Sequence, residues 1–254
     1  MAACPDAETD PDACVRFLSD ALRRRRRIVG SPAAWFHVHE LLAGAFRAKE
    51  PSVAALKSAL FHDEQALEGV AAAGRGPLDT HRSGVERRCA ETCGLLAEAL
   101  RRGGAGPTQR RGLVGKEVEL AELAASHARD APDEKVAIRR ALEGLGAARL
   151  RETRLEAAAE DPPGTARLPK RASRALDDAI DALDGACKDF ATADADALAR
   201  LGASLETRAV AVRASDDDAR GRSGEAPSTR DTLIRSAAAI DADSVGRPIA
   251  ATPR

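Results

Sequence analysis

The stretch WFHVHE sets His37 and His39 two residues apart. On a strand such a pair shares a face and can chelate zinc. On a helix the two positions lie about 200° apart, beyond the reach of one ion. The surrounding pattern is helical, so both histidines are expected on a helix surface. Cys89 and Cys93 are spaced to share a helix face. No further His or Cys follows at zinc-ligand spacing, and a free cysteine behaves as a small buried hydrophobe, so these thiols are expected to line a seam. RRGLVGKE resembles a phosphate-binding loop but departs from it twice. Arg110 stands where the first glycine belongs and Glu117 where a Ser or Thr would hold the metal, and no strand precedes it. GRGPLD falls short of a dinucleotide fingerprint, and GxSxG, HExxH and EF-hand loops do not occur. Carboxylates scattered along the helices read as solvated faces. No catalysis, cofactor or metal is expected.

The basic clusters carry more. Arg23, Arg24, Arg25, Arg26 and Arg27 are consecutive, and at about 100° per residue they wrap a whole helix circumference. That turn is either exposed all round or paired with acids of a neighbouring helix. A second cluster brackets a glycine-rich stretch, with Arg101 and Arg102 before it and Arg110, Arg111 and Lys116 after it. A third, with Lys170 and Arg171, follows a proline-rich break. Guanidinium forks suit phosphate oxygens, so these residues are the candidates for contact with an anionic surface. Nucleic acid is not the expected partner: the net charge is -1, and no aromatic side chains interleave with the arginines.

The composition describes the elements that must carry these groups. Of 254 residues, 44% are hydrophobic but only 2% aromatic. Much of the apolar count is alanine, which buries little area, so thin helix-on-helix seams fit better than a deep core. The opening residues lack the charged start and apolar run of a secretory signal, and no stretch approaches a membrane span. Five cysteines without a CxxC pair suit free thiols in a reducing compartment, with the cytoplasm or the nucleus as the default location and the cytoplasm the expectation.

Strand signals are nearly absent and helix caps recur, which gives an all-α fold. Asp10 before Pro11 opens a helix expected to reach Val29, and Ser31 caps a second containing Trp35, Phe36, Val38, Leu42 and Phe46. A third places Val53, Leu56, Leu60, Leu67 and Val70 near one face. Ser83 with Glu86 reads as a capping box that starts a helix through Arg102, with Val85, Cys89, Leu96 and Leu100 as its seam. GGAGPTQRRG reads as loop. Helices are expected from Leu113 to Arg129 and from Asp133 to Glu160. From Lys170 the spacing is the most regular in the chain: Leu176, Ile180, Leu183, Cys187, Phe190, Leu198, Leu201 and Leu205 form a coiled-coil-like stripe, a dimer or bundle seam. The expected organisation is a flexible N-terminus over 1–11, a long antiparallel helical bundle over 12–214 and a disordered tail over 215–254. Within the tail, STRDTLIRSAAAI carries a capping pattern suited to folding on a protein partner.

Two stretches resemble the BAR-domain family. In ALFHDEQALEGVAAAGRGPLDTHRSGVERR, Glu64, Leu67 and Val70 precede Pro77 and Leu78. This is similar to the family's acid-rich first-helix end leading into a second helix with a Pro-Leu pair. RALDDAIDALDGACKDFATADADALARL resembles its last helix, which builds the dimer. The resemblance spans about residues 12 to 214. It implies a crescent-shaped homodimer that binds anionic membranes peripherally and senses or shapes curvature, with no catalysis and no cofactor. The chain departs from the family in having few lysines and in its glycine- and proline-rich breaks. The contrasting expectation is a helical adaptor that holds protein partners without touching membrane.

Overall fold

The computed structural model describes residues 6–25, 32–50, 52–74, 79–130, 135–159, 170–188, 199–205 and 208. Among these the regular secondary structure is helical, without a strand. None of the described helices is long and apolar enough to cross a membrane. Where the sequence suggests one bundle over 12–214, the chain divides into two compact units, Met1–Gly144 and Leu145–Arg254.

In the first unit, α1 (Pro11–Arg25) starts where the sequence places it. The Asp10 carboxylate accepts the Ala13 amide at 2.9 Å, and Pro11 fills the first helical position, where no amide hydrogen is needed. Cys14 and Leu18 of α1 are buried against Leu42 and Ala45 of α2 (Pro32–Ala48). The expected extension of α1 to Val29 and the Ser31 cap lie outside the described residues. α3 (Val53–Ala73) is capped by Ser52, whose hydroxyl accepts the Ala55 amide at 3.1 Å. It stops at Gly74, whose φ of 63° suits a residue without a side chain. Phe36 of α2, Ala66 and Val70 of α3, and Val85 of α4 (Arg82–Arg102) form one buried cluster that joins the three helices. Gly69 lets α2 come close, since a Cβ there would stand 3.4 Å from both Trp35 and Phe36.

Two local expectations are corrected. A 3-10 turn over Asp79–His81 leads straight into α4, so Ser83 lies inside the first helical turn and caps nothing. Its hydroxyl instead donates to the Ala124 carbonyl of α5 at 2.9 Å, and Glu86 turns inward. The second correction concerns the glycine-rich stretch. α5 is Pro107–Asp130, six residues longer at its start than the apolar spacing suggests, because Pro107 and a Gln109 side chain accepting the Gly106 amide begin it. Only Gly103–Gly106 remain as the turn. The amides of Gly104 and Ala105 return to the carbonyls of Arg101 and Leu100, and Gly104 takes a φ of 84°. This is a Schellman closure, which ends α4 and reverses the chain within four residues. α5 then packs along α4 through Val114, Val118, Ala121, Ala124, Ala125 and Ala128.

The boundary between units falls within α6 (Lys135–Ala159). In the second unit Leu150 of α6 packs on Leu176, Ala179 and Leu183 of α7 (Lys170–Lys188), with Ile180 and Leu201 at the margin. Gly146 makes the closest approach: a Cβ there would fall 2.5 Å from Leu183 Cγ.

Candidate functional site

The Schellman turn brings the second basic cluster to one end of the α4–α5 hairpin. Arg101 and Arg102 occupy the last turn of α4, and Arg110 and Arg111 the first turns of α5. Arg101 grips Glu98 with two bonds, Nε to Oε2 at 2.7 Å and Nη2 to Oε1 at 2.6 Å, and Arg102 Nε adds a third at 3.2 Å. Hydrogen bonding from Arg101 leads the effects that hold the Glu98 carboxyl below its usual range. Burial, followed by the like charge of Arg101, pushes the Arg110 guanidinium below its ordinary value, and Glu98 offsets this only in part. Arg101 and Arg102 thus share one carboxylate beside a turn whose residues are largely exposed.

The other basic candidates are placed as follows. Arg23 and Arg24 are exposed near the end of α1, and Arg23 pairs with Asp20 one turn back at 3.2 Å. Arg25 is the last residue of α1, while Arg26 and Arg27 lie outside the described residues. Lys170 and Arg171 are exposed at the start of α7. Lys116 is a correction: it lies further along α5 and forms an ion pair with Glu64 of α3 rather than standing with the arginines of the turn. Burial works to lower its ammonium pKa, but the Glu64 carboxylate outweighs that and holds it above its usual value. In the proposed seam Leu176 and Leu183 are buried, Ile180, Cys187 and Leu201 are half-buried, and Phe190 and Leu198 lie outside the described residues. Leu205 is half exposed, contrary to its place in the stripe. The buried line at that end passes through Leu201's neighbour Ser204, whose hydroxyl is satisfied by the Arg200 carbonyl at 2.6 Å, and Leu205 lies a further 100° round.

The interior of the first unit holds what the sequence reading overlooked. Asp63, Glu86 and Glu117 are buried, not solvated. Asp63 Oδ2 accepts Arg47 Nη1 of α2 at 2.6 Å and the Thr92 hydroxyl of α4 at 2.6 Å, while Arg47 also reaches Thr92 Oγ1 at 3.0 Å. Burial pushes the Asp63 carboxyl above its usual range, and Arg47 and Thr92 pull it back without cancelling that push. Arg88 of α4 pairs with Glu40 of α2. Glu86 bonds His127 of α5 at 2.7 Å and its own helix neighbour Arg82 at 3.4 Å. Ion pairs and hydrogen bonds therefore join α2 to α3, α2 to α4, α3 to α4, α3 to α5 and α4 to α5.

His39 is a further correction. It is 2% exposed, and its Nδ1 stands 2.9 Å from Nδ1 of His62 on α3. Phe46 stacks on His62 with planes 12° apart, and Trp35 lies 4.4 Å from His39 between ring centres. His37, by contrast, is largely exposed beside Glu40. Cys89 and Cys93 are buried in α4 as expected of seam-lining thiols. Hydrogen bonding with Cys93, then burial, raises the Cys89 thiol far above its ordinary value, which keeps it protonated and inert. Among the described residues no group of three or more His, Cys, Asp and Glu is set to hold a metal. The missed residues carried one sequence signal: each falls on the buried helical register, Asp63 between Ala59 and Ala66, His39 between Phe36 and Ala43.

Compared with known protein families, with curated proteins and with solved structures, the chain matches none of them.

Proposed function

We propose that this protein is a non-catalytic helical scaffold that binds anionic membrane surfaces through the basic end of its α4–α5 hairpin. The observation that carries this reading is the convergence of Arg101, Arg102, Arg110 and Arg111 at one four-residue turn, with Arg101 and Arg102 sharing Glu98. Each near-surface arginine contributes about 1 kcal/mol against an anionic leaflet, so such a cluster suffices for reversible attachment. The exposed Arg23, Arg24, Lys170 and Arg171 supply further contacts of the same kind. The BAR-like form of this reading makes the scaffold a crescent-shaped homodimer that senses curvature.

Sedimentation with phosphatidylserine-rich vesicles tests it. The full chain should bind at low salt, release as salt is raised, and lose binding when Arg101, Arg102, Arg110 and Arg111 are changed to Glu. Small-angle scattering of the same protein should show an elongated dimer. Indifference to vesicles at low salt would overturn the reading. It would leave an adaptor for protein partners, a role favoured by the exposed rings of Trp35 and Phe61, which are 41% and 55% accessible.

A further inference from the structure

The rings of the first unit gather around one contact between α2 and α3. His39 and His62 meet there through their Nδ1 atoms, with Trp35, Phe46 and Phe61 around them. A hydrogen bond between two imidazole nitrogens needs a hydrogen on one and a bare lone pair on the other. His39 Nε2 is buried with no hydrogen-bond partner. Inside a protein an orphaned N–H is harder to sustain than an orphaned acceptor, so the hydrogen of His39 belongs on Nδ1. His39 then donates, His62 Nδ1 accepts, and the one ring hydrogen of neutral His62 is on its Nε2. This arrangement has no room for another proton. On His39 it would create a charged donor at the buried Nε2. On His62 it would set two N–H groups against each other.

The nearby carboxylates able to stabilise an imidazolium are engaged elsewhere. On α2, Glu40 is paired with Arg88 of α4 and lies 3.7 Å from His37, while Arg47 holds Asp63. On α3, Asp63 is shared by Arg47 and Thr92, and Glu64 pairs with Lys116 of α5. From α1, Asp12 pairs with Lys49, which also lies over the Phe46 ring, and Arg16 adds its charge beside Asp12. From the 3-10 turn, Asp79 is within 3.9 Å of Arg82, and His81 faces Phe36 and His37. Burial, and then the neighbouring His62, lower His39 to about 4, and burial lowers His62 as well.

We propose that His39 and His62 form an acid-released clasp: protonation of the pair forces the rings apart, parts α2 from α3 at that level and uncovers the half-buried Phe46 ring stacked on His62. At neutral pH both imidazoles are uncharged and the clasp is shut. As the medium acidifies from the ordinary histidine value of 6.5 toward 4, the open form takes up protons that the closed form refuses, and it gains population.

Trp35, the one tryptophan of the chain, reports on the contact directly. Its emission in the full-length protein should change in a single reversible step between pH 6.5 and 4, with helical circular dichroism largely retained. The double variant His39→Phe, His62→Phe keeps the ring stack without titratable nitrogens and should lose that step, and His37→Gln should keep it. A step that persists in the double variant, one that vanishes in His37→Gln, or a flat wild-type profile down to pH 4 overturns the proposal. Should the double variant fail to fold, nitrogen-15 shifts of the wild-type imidazoles decide. Two rings that stay neutral until the emission changes support the clasp, and rings that titrate at the ordinary value while emission is constant refute it.

Discussion

The two compact units hold their helices together by different chemistry. From α2 to α5 the interior contains Asp63, Arg47, Thr92, Glu86 and the His39–His62 pair, each bonded to a partner on a different helix. Between α6 and α7 the buried contact is leucine and alanine closing on a glycine, with the Arg149–Asp178 ion pair at 3.6 Å along its more exposed edge. A polar interior works only when every member is in register, because a buried charge left alone costs more than its pair contributes. An apolar seam is more forgiving of shape and sliding. Strict geometry therefore governs the interior of α2 to α5, and greater tolerance the α6–α7 seam.

The largest test of that contrast is Asp63→Ala, which leaves the Arg47 charge inside without its carboxylate. It should destabilise the first unit by about 3–5 kcal/mol, read as a lower urea midpoint in Trp35 emission. Asp63→Asn preserves an acceptor for Arg47 and Thr92 and should cost less. If alanine is tolerated without loss of stability, the interior carboxylate is not what holds α2 to α3 and α4.

Acid comes next. All five histidines lie in residues 1–144, so the window between pH 6.5 and 4 should affect that unit alone. The folded pKa of His39 is depressed to about 4, and its contribution is fully present above 6.5 and fades as pH falls between the two values. The loss should be up to about 3 kcal/mol for the first unit. Urea titrations followed by Trp35 at pH 7 and at pH 4.5 would measure it, while hydrogen exchange in α6 and α7 should show no comparable loss of protection.

The smallest effects sharpen the seam. Gly146→Ala drives a methyl group into Leu183, a clash of about 1–3 kcal/mol that outweighs the roughly 1 kcal/mol of helix propensity gained. Net destabilisation of about 1 kcal/mol should appear as faster hydrogen exchange across α7. Gly115→Ala in α5 meets nothing within 4 Å and should instead stabilise by about 0.5–1 kcal/mol in thermal melts.

Much of the architecture is legible in the chain because it is locally encoded. Asp10 with Pro11 opens α1, and Ser52 caps α3 with a side chain one turn away. The basic turn is legible too, since Gly103 to Gly106 and the flanking arginines are contiguous or nearly so. The buried polar residues are half legible. Leu56, Ala59, Asp63, Ala66 and Val70 follow helical steps, so the register alone puts a carboxylate inside α3. Its partners Arg47 and Thr92 come from other helices, and no local rule pairs them. The capping box at Ser83 misleads for the same reason: the turn over Asp79–His81 moves the helix start back to Arg82, and the Ser83 hydroxyl donates to the Ala124 carbonyl of α5.

The turn at Gly103–Gly106 has one more consequence. It sets the carboxyl end of one helix beside the amino end of the next, so the partial charges of the two backbones largely cancel there. An approaching anion then senses side chains alone, and attraction becomes countable: each guanidinium deleted from the tip should remove one equal increment from the ionic-strength dependence of attachment.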